Sequence, residues 1–139
     1  MSAFRTALRF LLLRRHRSKT PTGIVPLSRI RSVAVYRDPV EPSCEREIHR
    51  FFDPLGITVN IISEHDRNIR TGEDLFIAIN SETCISERYA AASSTAIFKV
   101  GRRQTGKDIY DLVVSNPEDT QKGQAVAFAA IIEILKVIK

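Results

Sequence analysis

Residues 74–101 constrain this chain more than any other stretch. An apolar run at 75–79 is followed by a polar break at 80–83, a small-residue helical segment at 86–96 and a second apolar run at 97–100. That order is strand, helix, strand, the unit from which parallel sheets are built. Two parallel strands need such a crossover, so the stretch argues for an α/β domain before any other residue is read.

The flanking segments extend the pattern. Ser32, Val33, Ala34, Val35 and Tyr36 form a compact apolar run read as the first strand, stopped by Asp38 and Pro39. Ser43 is placed to cap a helix with Glu45 and Glu47 in its first turn, where the backbone N–H groups favour negative charge. Ile48, Phe51, Phe52 and Leu55 supply its buried stripe and Gly56 closes it. The β-branched run 57–62 reads as the second strand and the charged stretch 63–73 as a loop. A strand is expected over 109–114 and a final helix, capped at Asp119 or Thr120, to the end of the chain, with Ala125, Phe128, Ala129, Ile132 and Leu135 as its apolar face. The link 101–108 is too short for a crossover helix. The strand at 109–114 is therefore expected either antiparallel to its predecessor, or parallel and not adjacent to it. The expected architecture is a small Rossmann-like α/β/α three-layer domain of about five mostly parallel strands.

Charge divides the chain. Residues 1–31 hold Arg5, Arg9, Arg14, Arg15, Arg17, Lys19, Arg29 and Arg31 and no acidic residue, whereas 32–139 hold 13 Lys and Arg against 16 Asp and Glu. The pI of about 9.6 therefore belongs to the N-terminal arm, and the rest is mildly acidic. Residues 1–17 are expected to form a helix with Phe4, Ala7, Leu8 and Leu11 on one face, ending at the turn-forming cluster 18–23. The division is thus 1–28 for the basic amphipathic helix and linker and 29–139 for the α/β domain, at a total length suited to one core.

The arm has three readings. Phe4, Leu8 and Leu11 can enter an anionic membrane interface with Arg5, Arg9, Arg14, Arg15 and Arg17 on its phosphates. A nucleic acid is the weaker partner, since Phe4 and Phe10 are the arm's only stacking groups. The plain alternative is packing on the domain itself or on a second copy. The apolar runs 10–13 and 125–138 are too short for a signal core or a span, so the expected location is cytoplasmic, peripheral at the inner membrane face if the arm binds lipid.

Chemistry-bearing motifs are sparse. No Gly-rich phosphate loop follows the first strand, where Tyr36, Arg37, Asp38 and Pro39 stand, and there is no nucleophile elbow or paired-His metal helix. No catalytic residue, metal or cofactor is expected. The two cysteines, Cys44 and Cys84, read as free thiols, with Cys84 at a helix N-terminus where a thiolate is favoured. Glu64, His65 and Asp66 alternate in direction on an extended chain and read as a charged loop, and His49 reads as a partly exposed helix residue. Ligands of open α/β sheets sit beyond the carboxyl ends of the strands. There Asn80, Ser81, Thr83, Arg102 and Arg103 make a candidate anion site, its plain alternative being a turn at Gly101 with solvated arginines.

The basic leader, the strands at 32–36 and 74–79, the segment 96–102, the strand at 110–114 and the apolar terminal helix together resemble a family of small uncharacterised bacterial proteins. The resemblance covers nearly the whole chain and implies no established activity. Residues 74–102 are also similar to the N-terminal half of heptosyltransferase-like glycosyltransferases. That implies a shared fold and not a transferase, because those enzymes hold the nucleotide sugar chiefly with a second domain. Two functions follow as expectations: a non-enzymatic interaction module with a cationic arm for a membrane surface or protein partner, or a binding or catalytic domain for a phosphate-bearing small molecule.

Overall fold

A computed structural model describes residues 23–37, 44–64, 66, 72–80, 84–102, 109–114 and 124–138. The leader 1–22 and the residues Ser43, His65, Ser81, Thr83, Arg103, Asp119 and Thr120 lie outside the described residues.

Five strands form one sheet: β1 (Ser32–Tyr36), β2 (Thr58–Ile62), β3 (Leu75–Ala78), β4 (Phe98–Gly101) and β5 (Leu112–Val113). The order is β2-β1-β3-β4-β5 and every adjacent pair is parallel. Three helices accompany it: α1 (Cys44–Phe52), α2 (Ile85–Ser93) and α3 (Gln124–Val137). The chain is thus a small Rossmann-like α/β domain.

The topology dictates the faces. From β1 the chain moves outward in one direction to β2 through α1, and from β3 in the other direction to β4 through α2. Right-handed crossovers of opposite travel place their helices on opposite faces. Val33, Val35, Leu75, Ile77, Phe98 and Val100 accordingly share a cluster with Ile48 and Phe52 of α1 and Phe128, Ile131, Ile132 and Leu135 of α3. The alternate residues Ala34, Tyr36, Phe76 and Ala78 pack with Ala90, Ala91 and Ala92 of α2. Small side chains on both partners let α2 approach closely, which explains the alanine run that first marked the segment as helical. Gly56, at φ 72°, ends the 3-10 turn Asp53–Leu55 that follows α1, a left-handed position that glycine takes without strain.

Leu55, expected in the buried stripe of the first helix, is exposed in the 3-10 turn after it, and two further expectations are corrected. β5 is parallel and adjacent to β4, with Val100 opposite Leu112, although no helix is described between them. Strand pairing covers only two residues of β5, so the return path from the end of β4 is short. Ile109 and Tyr110, expected in the strand, instead pack on the α2 face, and Tyr110 stacks on Phe76 with centroids 6.5 Å apart. The second correction concerns α3, where Ala125 and Ala129 are exposed and Ala127 and Ile131 are buried beside Phe128, Ile132 and Leu135. This helix is apolar on nearly every side, so its periodicity could not choose the stripe.

Candidate functional site

The order β2-β1-β3-β4-β5 puts the switch point between β1 and β3, where the connections leave in opposite directions and where open α/β sheets take ligands beyond the carboxyl ends. Tyr36 ends β1 there, Ile79 and Asn80 follow β3, and Cys84 precedes α2.

Cys84 is the N-cap of α2, its Sγ accepting from the Glu87 N–H at 3.4 Å, and the same sulfur lies 3.4 Å from the Tyr36 hydroxyl. A Cys-x-x-Glu spacing at a helix start resembles a capping box, in which the acid would turn back to the cap N–H. Here Glu87 turns inward. Its Oε1 accepts from Asn80 Nδ2 at 2.5 Å and its Oε2 accepts from the Tyr110 hydroxyl at 2.6 Å, and all three residues are buried. A buried carboxylate is tolerated because donors from β3's end and from the β5 connection meet it.

Arg102 follows β4 and is also buried; its Nη1 donates to the carbonyls of Ile79 at 3.2 Å and Asn80 at 3.4 Å. These carbonyls end β3, so the guanidinium joins two neighbouring strands at their carboxyl edge. Arg37 pairs with Glu45 of α1. Of the candidate anion site, then, the structure brings Asn80 and Arg102 together, and both take part in the packing of the strand ends. Among the other sequence candidates, Asp66 closes a local turn, its Oδ2 accepting from the Ser63 N–H at 2.7 Å, and exposed His49 lies 3.3 Å from Asp53. Cys44 is buried and Cys84 partly so, both free.

Burial raises the Tyr36 phenol well above its ordinary range, with the Cys84 hydrogen bond adding to it. Burial likewise raises Tyr110, aided by the charge and hydrogen bond of Glu87. The Tyr110 hydroxyl donates to Glu87, while between Tyr36 and Cys84 either group can be the donor. On the same face Lys99 is fully buried in β4, and burial lowers its pKa against the opposing pull of Asp111. The Asp111 carboxylate accepts from the Lys99 backbone N–H at 2.8 Å.

Tyr36, Glu87 and Tyr110 escaped the sequence reading. Glu87 was not singled out, and Tyr110 was expected within a strand. The available signal was Cys84 standing three positions before Glu87, since a poor capping residue leaves the acid free to serve elsewhere.

Among the described residues no group of three His, Cys, Asp or Glu is arranged to hold a metal, and no helix is long and apolar enough to cross a membrane. No family model, curated protein or solved structure matches the chain, so neither sequence resemblance gains support from comparison.

Proposed function

We propose that this domain is a non-enzymatic interaction module that its cationic amphipathic arm, residues 1–17, brings to an anionic membrane surface, peripheral at the inner face. The observation that carries this reading is the charge split: eight basic and no acidic residues in 1–31, against an acid excess over 32–139. Phosphate headgroups attract such an arm at roughly 1 kcal/mol per basic residue near the surface. Phe4, Leu8 and Leu11 add apolar burial. The carboxyl-edge side chains support the non-enzymatic part, because Asn80, Glu87, Tyr110 and Arg102 bond to one another or to strand-end carbonyls.

Vesicle co-sedimentation of the full chain beside an Arg9→Glu/Arg14→Glu/Arg15→Glu variant tests the reading. The variant is expected to lose binding to anionic vesicles; unchanged binding contradicts it, and a protein partner captured in place of lipid replaces it.

A second reading, a phosphate-bearing small molecule at the crevice, is favoured by one observation: partly exposed Cys84 caps α2 at the switch point. Stabilisation by nucleotides or sugar phosphates that disappears in Ser81→Ala/Thr83→Ala supports it.

A further inference from the structure

We infer that the domain pairs with a second copy of itself through the outer edge of β2, antiparallel about a two-fold axis centred on Asn60. This goes beyond the membrane reading above and does not rest on it.

Hydrogen bonds inside the sheet fix which main-chain groups of β2 face outward. The Thr58 N–H donates to the Arg31 carbonyl and the Ile62 carbonyl accepts from the Arg37 N–H, each at 3.0 Å, so Thr58, Asn60 and Ile62 direct their groups to β1. In a parallel ladder the alternate residues point the other way. Those residues are Val59 and Ile61. β2 is the outermost strand, and no main-chain partner meets their N–H and C=O groups among the described residues. The open edge is closed off at both ends. Before it, the Ile57 N–H donates to the Phe52 carbonyl at 3.2 Å. After it, the Ser63 N–H donates to Asp66 Oδ2 at 2.7 Å and the Ser63 carbonyl accepts from the Asp66 N–H at 3.2 Å.

Sheets guard such edges with charge, proline, a bulge or a very short strand. β5, at the opposite edge, pairs over two residues. β2 pairs over five, Thr58–Ile62, with no charged residue, no proline and β-branched side chains everywhere but Asn60. This edge is matched to itself. With a second strand reversed and Asn60 facing Asn60, Val59 exchanges both its bonds with Ile61 of the second copy and Ile61 with its Val59, so every open N–H meets an open C=O. Sliding the register by two residues leaves half of these unmet and brings Ile57 or Ser63, whose N–H groups are already used, into their place. The side chains agree with the same register. Val59 and Ile61, half-buried against the α1-side core, meet each other across the pair. Exposed Asn60 meets its own mate in the narrow pair; its Nδ2 donates to Glu73 Oε1 of its own chain at 3.0 Å, which leaves a second N–H and the Oδ1 for the opposite amide. The strip is narrower than the roughly 1,200 Å² of a stable complex, so association is weak and concentration-dependent.

The test follows the full chain, without vesicles, from about 10 μM to about 1 mM by sedimentation equilibrium and by amide hydrogen exchange read residue by residue. The mass is expected to rise from monomer toward dimer. The Val59 and Ile61 amides, fast at low concentration, are expected to slow in step with it, while Thr58, Asn60 and Ile62, bonded to β1, stay slow throughout. Asn60→Lys sets two ammonium groups across the axis and keeps Glu73 beside each, and is expected to raise the dissociation constant at least about ten-fold. Mixing it with Asn60→Asp is expected to restore association, because opposite charges then face each other. A chain that stays monomeric at every concentration overturns the inference. So does a dimer in which Val59 and Ile61 still exchange fast, or one that Asn60→Lys leaves unchanged, since the contact then lies elsewhere. Slow exchange at Val59 and Ile61 that does not depend on concentration means the edge is covered within one chain, and overturns it as well.

Discussion

The Tyr110 hydroxyl donates to Glu87 Oε2 at 2.6 Å, joining the connection before β5 to the first turn of α2 across 23 positions of sequence. The same ring stacks on Phe76 of β3, so one side chain ties a helix, a strand and the segment leading into β5 together. Tyr110→Phe keeps the stack and removes the donor. It is expected to cost about 1–3 kcal/mol, because a buried carboxylate oxygen loses a partner. Urea denaturation of both proteins measures it, with a change in midpoint at constant slope.

Gly101 is where Tyr110 comes closest to the sheet. A Cβ at that position would stand 2.7 Å from the Tyr110 ring. Gly101→Ala is expected to destabilise by about 1–3 kcal/mol through overpacking. In a Tyr110→Leu background the second cost shrinks, so a double-mutant cycle returns a coupling of at least about 0.5 kcal/mol. Additive effects would show that the ring does not set the requirement for glycine.

Three buried groups are expected to shape the alkaline limb of stability. Raised folded-state pKa values for Tyr36 and Tyr110 mean that their contribution is complete below the unfolded phenol value of about 10 and is lost as pH rises above it. Lys99 has the opposite sign. Its folded pKa is lowered, so the native state binds fewer protons than the unfolded chain between that value and about 10.4, and stability rises with pH through this window. In absorbance titration, two of the three tyrosines are expected to ionise only with unfolding. Lys99→Met is expected to abolish the rise below about pH 10.4.

Arg102 bears on how ligand experiments are read. Its guanidinium holds the Ile79 and Asn80 carbonyls, so Arg102→Ala is expected to lower stability by about 1.5–3 kcal/mol with no ligand present. Arg102→Lys restores little, since a single ammonium does not reproduce the planar fork. Equal melting temperatures for Arg102→Ala and the unmodified chain would contradict the packing role.

Much of this fold was legible because local and global preferences agree. The strands at 32–36, 58–62 and 75–78 are Val- and Ile-rich runs with turn residues at their ends, and the α2 alanines fit only a close helix-on-sheet contact. β5 was not legible. Ile109 and Tyr110 have strand character, and only the tertiary slot over Phe76 shows that they pack on the α2 face. In α3, Ala125 and Ala127 are indistinguishable by chemistry, and the sheet alone decides which is covered. At the site, sequence position put both Asn80 and Arg102 at the carboxyl edge, where the Arg102 guanidinium meets the Asn80 carbonyl. It could not show that a guanidinium at a strand end is drawn to carbonyls from the neighbouring strand, or that Glu87 turns inward to the Asn80 amide and the Tyr110 hydroxyl.

The central claim is tested most directly by sedimenting the full chain with anionic and with zwitterionic vesicles at low and at raised salt. Binding to the anionic vesicles alone, falling steeply as salt is added, is the result expected of an arm held by phosphate headgroups. No binding at low salt, or equal binding to both vesicle types, would contradict it.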